Sequence, residues 1–168
     1  LLDELLHQLH KYSNGLYFEI GGMPNEVQEL VITAAGNSDF FSKVDELVEK
    51  APQINGWSII DFKPAMGVDF VTDYEGIKFD PSQIWFLPLD SDNDPKSLGL
   101  RICFPNQTIA SDETLINASY QMIDTILGEK SAALDINHIE VGKLPKDPAD
   151  NGMIELSELP EYITWRKG

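Results

Sequence analysis

The apolar positions of this chain change period several times, and each change marks an element. Leu2, Leu5, Leu6 and Leu9 recur at helical spacing over residues 1–12, and Ser13-Asn14-Gly15 stops that helix. Residues 16–20 then alternate, with Leu16, Phe18 and Ile20 on one side and Tyr17 and Glu19 on the other, the period of a half-buried strand. Gly21-Gly22-Met23-Pro24-Asn25 is a turn, and residues 29–35 form a second strand, which predicts a hairpin. Asn37, Ser38 and Asp39 offer N-caps to a helix whose stripe is Phe40, Phe41, Val44, Leu47 and Val48 and which ends at Ala51-Pro52. Residues 57–63 form a third strand, closed by Pro64.

Residues 65–97 are the least regular part. A short strand is expected at 76–79, an apolar run at 84–89 between Pro81 and Pro88, and a polar loop at 90–96. Alternation returns at 98–104. Ser111-Asp112-Glu113 opens a long helix to about Leu127, with Leu115, Ile116, Ala118, Ser119, Met122, Ile123, Ile126 and Leu127 on its buried side and Gly128 as its cap. A last strand is expected at 134–141. The tail from about 144, with Pro145, Pro148 and Pro160, is expected to be irregular except for a helical turn near 157–162.

From 29 to 141 the order is strand, helix, strand, insertion, strand, helix, strand, the split β-α-β order of ferredoxin-like folds. The fold class that follows is α+β: a two-layer sandwich, a mostly antiparallel sheet with helices on one face. It carries an N-terminal helix-strand extension and a mid-chain insertion. With no repeat, low-complexity tract or linker visible, residues 1–168 read as a single domain.

Charge changes the picture more than composition does. Twenty-eight Asp and Glu oppose twelve Lys and Arg, a formal net charge of -16 on 168 residues. Direct nucleic-acid binding needs Lys and Arg against phosphates, so this excess argues against it. It suits a basic protein partner, or equally a solvated acidic surface kept soluble by self-repulsion. The acid is spread along the chain and forms no polyacidic tail. Hydrophobic residues at 42% supply a core, which sets the chain apart from disordered acidic segments. The lone Cys103 rules out an internal disulfide and fits a reducing, cytoplasmic setting. No stretch has the length of a membrane span. The chain starts at Leu1 without a methionine, which suggests that a segment upstream was removed and leaves room for a cleaved signal peptide.

Candidate chemistry is sparse. Asp90, Asp92 and Asp94 alternate as in the start of a calcium loop, but the sixth and twelfth positions hold Pro95 and Arg101 where that loop needs Gly and a bidentate Glu, so a polar turn is the reading. His7 and His10 lie one helical turn apart with Glu4 on the same face. Zinc wants a further ligand, and none stands near in sequence, so a solvent-facing pair is expected. His138 beside Glu140 holds the ingredients of a general base, with Glu129 and Arg101 as further members of a hidden enzyme site, yet no nucleophile motif accompanies them. Cys103, between Ile102 and Phe104, reads as a small hydrophobe. No metal, cofactor or catalytic set is assigned. If the strands form one sheet, Glu19, Lys63, Arg101, His138 and Glu140 share its polar side as a candidate interaction surface. Trp57, Trp85 and Trp165 are expected mainly in the core, although tryptophan also anchors binding sites.

Three stretches carry a resemblance: residues 15–20 with 29–34; Ala51-Pro52 through Gly56-Trp57 to Phe62-Lys63-Pro64; and Leu127-Gly128-Glu129 before His138-Ile139-Glu140-Val141. Together, over most of residues 15–143, they resemble a bacterial family of small domains of unknown function. Some of its members are joined to a domain similar to regulator of ribonuclease activity B, an acidic ribonuclease inhibitor. The shared motifs are structural, so the resemblance transfers no active-site residue. It implies an acidic, ferredoxin-like interaction domain. The charge excess and the missing catalytic set make the expected function a non-enzymatic module of inhibitor or immunity type that binds a basic protein. The alternatives are a small-ligand sensor or self-associating subunit, and an enzyme with a hidden site.

Overall fold

Two acids in its first turn and two basic residues in its last match the dipole of helix α1 (Leu2–Tyr12). Of its apolar stripe only Leu9 is buried. All 168 residues are described by a computed structural model, and their contacts divide the chain into two compact units, Leu1–Pro64 and Ala65–Gly168.

In the first unit, β1 (Tyr17–Gly21) pairs antiparallel with β2 (Gln28–Thr33), as the alternation predicts. Helix α2 (Phe41–Glu49) follows a 3-10 turn in which the Asn37 carboxamide accepts the Asp39 N–H. It leads to β3 (Trp57–Asp61), which lies parallel to β2, from Gln28 opposite Trp57 to Ile32 opposite Asp61. A parallel pair needs a crossover, and α2 supplies it. Val31 and Ile32 point to opposite faces of β2 and both are buried, because β2 is the central strand of the three. The edge strand β1 departs from expectation: Leu16 is buried, but Ile20 is 46% exposed. Phe62, held at φ +60°, follows β3; its N–H donates to the Ile32 carbonyl and its ring packs edge-on against Phe41. Gly15 admits no side chain, since a Cβ there would come 2.4 Å from the Phe40 ring.

The second unit opens with the hairpin β4 (Thr72–Tyr74) and β5 (Ile77–Phe79), turned by Glu75 and Gly76, both at positive φ, the demand of a type I′ turn. Strand β6 (Trp85–Ser91) pairs antiparallel with β7 (Asp94–Phe104), so the expected loop at 90–96 shrinks to a tight turn at Asp92-Asn93 with a bulge beside it. Helices α3 (Asp112–Leu127) and α4 (Glu129–Asp135) then cross to β8 (His138–Lys143), parallel to β7. The expected strand from 134 begins only at His138, because residues 129–135 are helical. Short β9 (Ile154–Glu155) completes the order β8-β7-β6-β9. The tail ends in a nine-residue helix, α5 (Leu159–Lys167), with Pro160 in its first turn, where a missing N–H costs nothing. Leu98, Leu100, Ile102 and Phe104 of β7 form the core with Phe86, Ile139, Met122, Ile123 and Ile126, and the tail adds Leu156, Leu159 and Ile163. Residues 65–97 feed this core through Phe79, Ile84 and Phe86, with Phe70 and Tyr74 packed against it.

The chain is thus mixed α+β, with four of its six strand pairings antiparallel. The four strands of the expected ferredoxin-like order pair differently. In a split unit a further strand separates the two parallel ones, whereas here β2 pairs directly with β3 and β7 directly with β8, in separate sheets. No helix is long and apolar enough to cross a membrane.

Candidate functional site

The register of β7 and β8 sets Gly99 opposite His138, Arg101 opposite Glu140 and Cys103 opposite Gly142. These residues alternate with the core set Leu100, Ile102 and Ile139, so they occupy the other face of the sheet. On that face the Arg101 Nε–H donates to Glu140 Oε1 at 2.5 Å, and His138 Nε2 lies 3.4 Å from Glu140 Oε2. Gly142 makes room for this pair: a Cβ there would come 3.0 Å from Arg101 Cδ. Leu87 and Leu89 of β6, opposite Arg101 and Gly99, flank the cluster.

Hydrogen bonds from Arg101 first, and from His138 second, hold the Glu140 carboxyl below its ordinary range. A carboxylate engaged in this way is a poor proton acceptor near neutrality. Burial pushes the thiol of Cys103, on the same face, up from its ordinary value and keeps it protonated. Side chains in the ion pair are 45% and 38% exposed, so solvent screens their attraction.

The structure gathers three of the five proposed surface residues, Arg101, His138 and Glu140. Glu19 lies on β1 and Lys63 past the end of β3, both in the first unit, so the five do not share one sheet face. Glu129, the other carboxylate of the hidden enzyme site, is fully buried at the start of α4, and a solvent-borne substrate at Arg101 has no access to it. Asp90 and Asp94 serve the hairpin: Asp90 accepts from Arg166 at 2.6 Å and Asp94 from the Lys96 N–H at 3.1 Å. No group of three His, Cys, Asp or Glu side chains is placed to hold a metal ion. His7 is exposed, while His10 turns its ring edge-on to Tyr17 at 5.5 Å, with its Nε2 buried and without a hydrogen-bond partner. Trp57 and Trp165 are 39% and 74% exposed, against the expectation of core positions.

Reading the tail as irregular concealed a second cluster. The Arg166 guanidinium ties α5 to the β6–β7 hairpin through Asp90 and the carbonyls of Pro95 and Ser97, and Lys167 Nζ meets Asp135 at 2.6 Å. Beside them lies a pocket of about 490 Å³ lined by Lys96, Leu98, Leu134 and Ile163. The Arg-Lys pair before Gly168 was its only sequence signal, a basic helix C-terminus. No family model, curated protein or solved structure matches this chain.

Proposed function

We propose that the protein is a non-enzymatic acidic interaction module that binds a basic protein partner, in the manner of an inhibitor or immunity protein. The placement of its charge carries this reading. Of 28 carboxylate residues only Glu129 is buried, so the excess over 12 Lys and Arg faces solvent. Such a field steers a cationic partner and raises its on-rate in a salt-dependent way. The resemblance to a bacterial family of small domains of unknown function is consistent with the same reading. Capture from a lysate of the source organism, at low and at high salt with mass-spectrometric readout, tests it. One basic protein is expected at low salt and none at high salt, with an on-rate that falls steeply as ionic strength rises. A captured partner whose on-rate is flat across that range sinks the reading.

A small-ligand sensor is the second reading, favoured by the pocket beside α5. Thermal-shift screening of small molecules tests it, and a stabilising hit lost in Lys96→Ala supports it.

A further inference from the structure

Large apolar side chains of the first unit gather at one end of its sheet. Ile20, Met23, Val27, Ile54 and Trp57 are 46%, 66%, 58%, 49% and 39% exposed. The register puts Ile20 in one row with Leu30 and Ile59, and sets Trp57 beside Gln28, the residue after Val27. Val27, Ile54 and Trp57 line an open cleft of about 660 Å³, together with Val48, Pro52 and Ile59. Main-chain bonds shape it: the Trp57 N–H donates to the Ile54 carbonyl at 3.0 Å and the Gln28 N–H to the Gly56 carbonyl at 2.9 Å. Single exposed apolar residues are ordinary, but three of the five, Val27, Ile54 and Trp57, share one preformed cleft, which marks a contact site.

The charge of the same segments says what covers it. Residues 20–29 and 43–60 carry Glu26, Glu29, Asp45, Glu46 and Glu49 against Lys43 and Lys50, five carboxylates less two ammoniums, or -3. Both ammoniums lie against Glu46, Lys50 at 2.9 Å and Lys43 at 3.6 Å. A second copy of this chain, at -16, or an anionic membrane surface meets repulsion here. We infer that the cleft docks a basic polypeptide segment of a partner protein, which inserts one apolar side chain against Trp57 and directs its Lys or Arg toward the carboxylates of the segments that flank the cleft. The cleft lining itself, with Gln53, Asn55 and Ser58 beside Trp57, holds no charged residue, and tryptophan is among the residues enriched at interface hot spots. The inference rests on the basic-partner reading and adds the place and the chemistry of the contact.

An NMR titration of the full chain with two synthetic peptides tests it. One is a short oligolysine with a single central leucine; the other has serine in its place. The indole N–H groups of Trp57, Trp85 and Trp165 are the reporters, with Trp57→Phe used for assignment. The leucine peptide is expected to shift the Trp57 indole and the Gly56 amide and to bind about tenfold more tightly than the serine peptide. Val27→Ser with Ile54→Ser, both at exposed positions and checked for folding by circular dichroism, is expected to erase that preference and keep the salt-dependent component. Equal affinity for the two peptides, or shifts confined to Trp85 and Trp165, overturns the docking site but spares the basic-partner reading. No binding of either peptide at low salt overturns both.

Discussion

Glu46 shows what single residues contribute. Its carboxylate accepts from Lys50 Nζ and from the Tyr12 hydroxyl, both at 2.9 Å, and Lys43 Nζ lies 3.6 Å away. These contacts, Lys50 first, lower its carboxyl from 4.5 to about 2. A folded pKa below the unfolded one means that the contribution is fully present above about 4.5 and is lost as pH falls toward 2. Because the group is solvent-exposed, screening keeps that contribution small, and the titration itself is the sensitive readout. Carbon-detected NMR should find the Glu46 midpoint well below that of the other exposed glutamates. Tyr12→Phe should raise it, and Lys50→Met should raise it further. A wild-type midpoint near 4.5 would show that the bonds do not persist in solution. The Lys50 contact was legible in sequence as an i, i+4 pair. The Tyr12 contact was not, because it joins residues 34 apart whose meeting depends on how α1 and α2 pack.

Elements were legible where a strong period met a clear cap, and α3 is the clearest case. Ser111 accepts the Thr114 N–H at 3.2 Å, and Ala118, Met122, Ile123 and Ile126 are buried as the 3.6 period requires. Ser111→Ala should cost about 1 kcal/mol, seen as a lower urea midpoint at unchanged slope, and Ser111→Asp should restore it. An unchanged midpoint in Ser111→Ala would mean that water replaces the cap without loss. Helix α4 escaped notice because seven residues barely complete two turns, and Leu134 and Ile136 at its end mimic the alternation of the strand that follows. Of helix α5 only a turn near 157–162 was legible, because Pro160 breaks a helix interior but suits its first turn. The candidate surface followed the same rule. Alternation within a strand placed Arg101, His138 and Glu140 on one face, but which strands are neighbours is a long-range matter, and Glu19 and Lys63 went to another sheet.

For the molecule as a whole, local attraction competes with global repulsion. The ion pairs Glu46–Lys50, Arg101–Glu140, Arg166–Asp90 and Lys167–Asp135 each include a side chain at least 45% exposed, which puts them among contacts worth little individually. Against them stands a net charge of -16, carried almost wholly at the surface, whose self-repulsion destabilises the folded state. Added salt weakens both effects, since the screening length falls to about 10 Å at 0.1 M. The repulsion, spread over many longer separations, is screened first, while pairs in direct contact lose less. Relief of repulsion therefore outweighs the weakening of the pairs, and the thermal midpoint should rise as sodium chloride is raised from a few millimolar toward physiological strength. The same salt should slow capture of a basic partner, so stability and association move in opposite directions in one buffer series. A midpoint that falls over that range would mean that, for stability, the ion pairs outweigh the self-repulsion of the net charge.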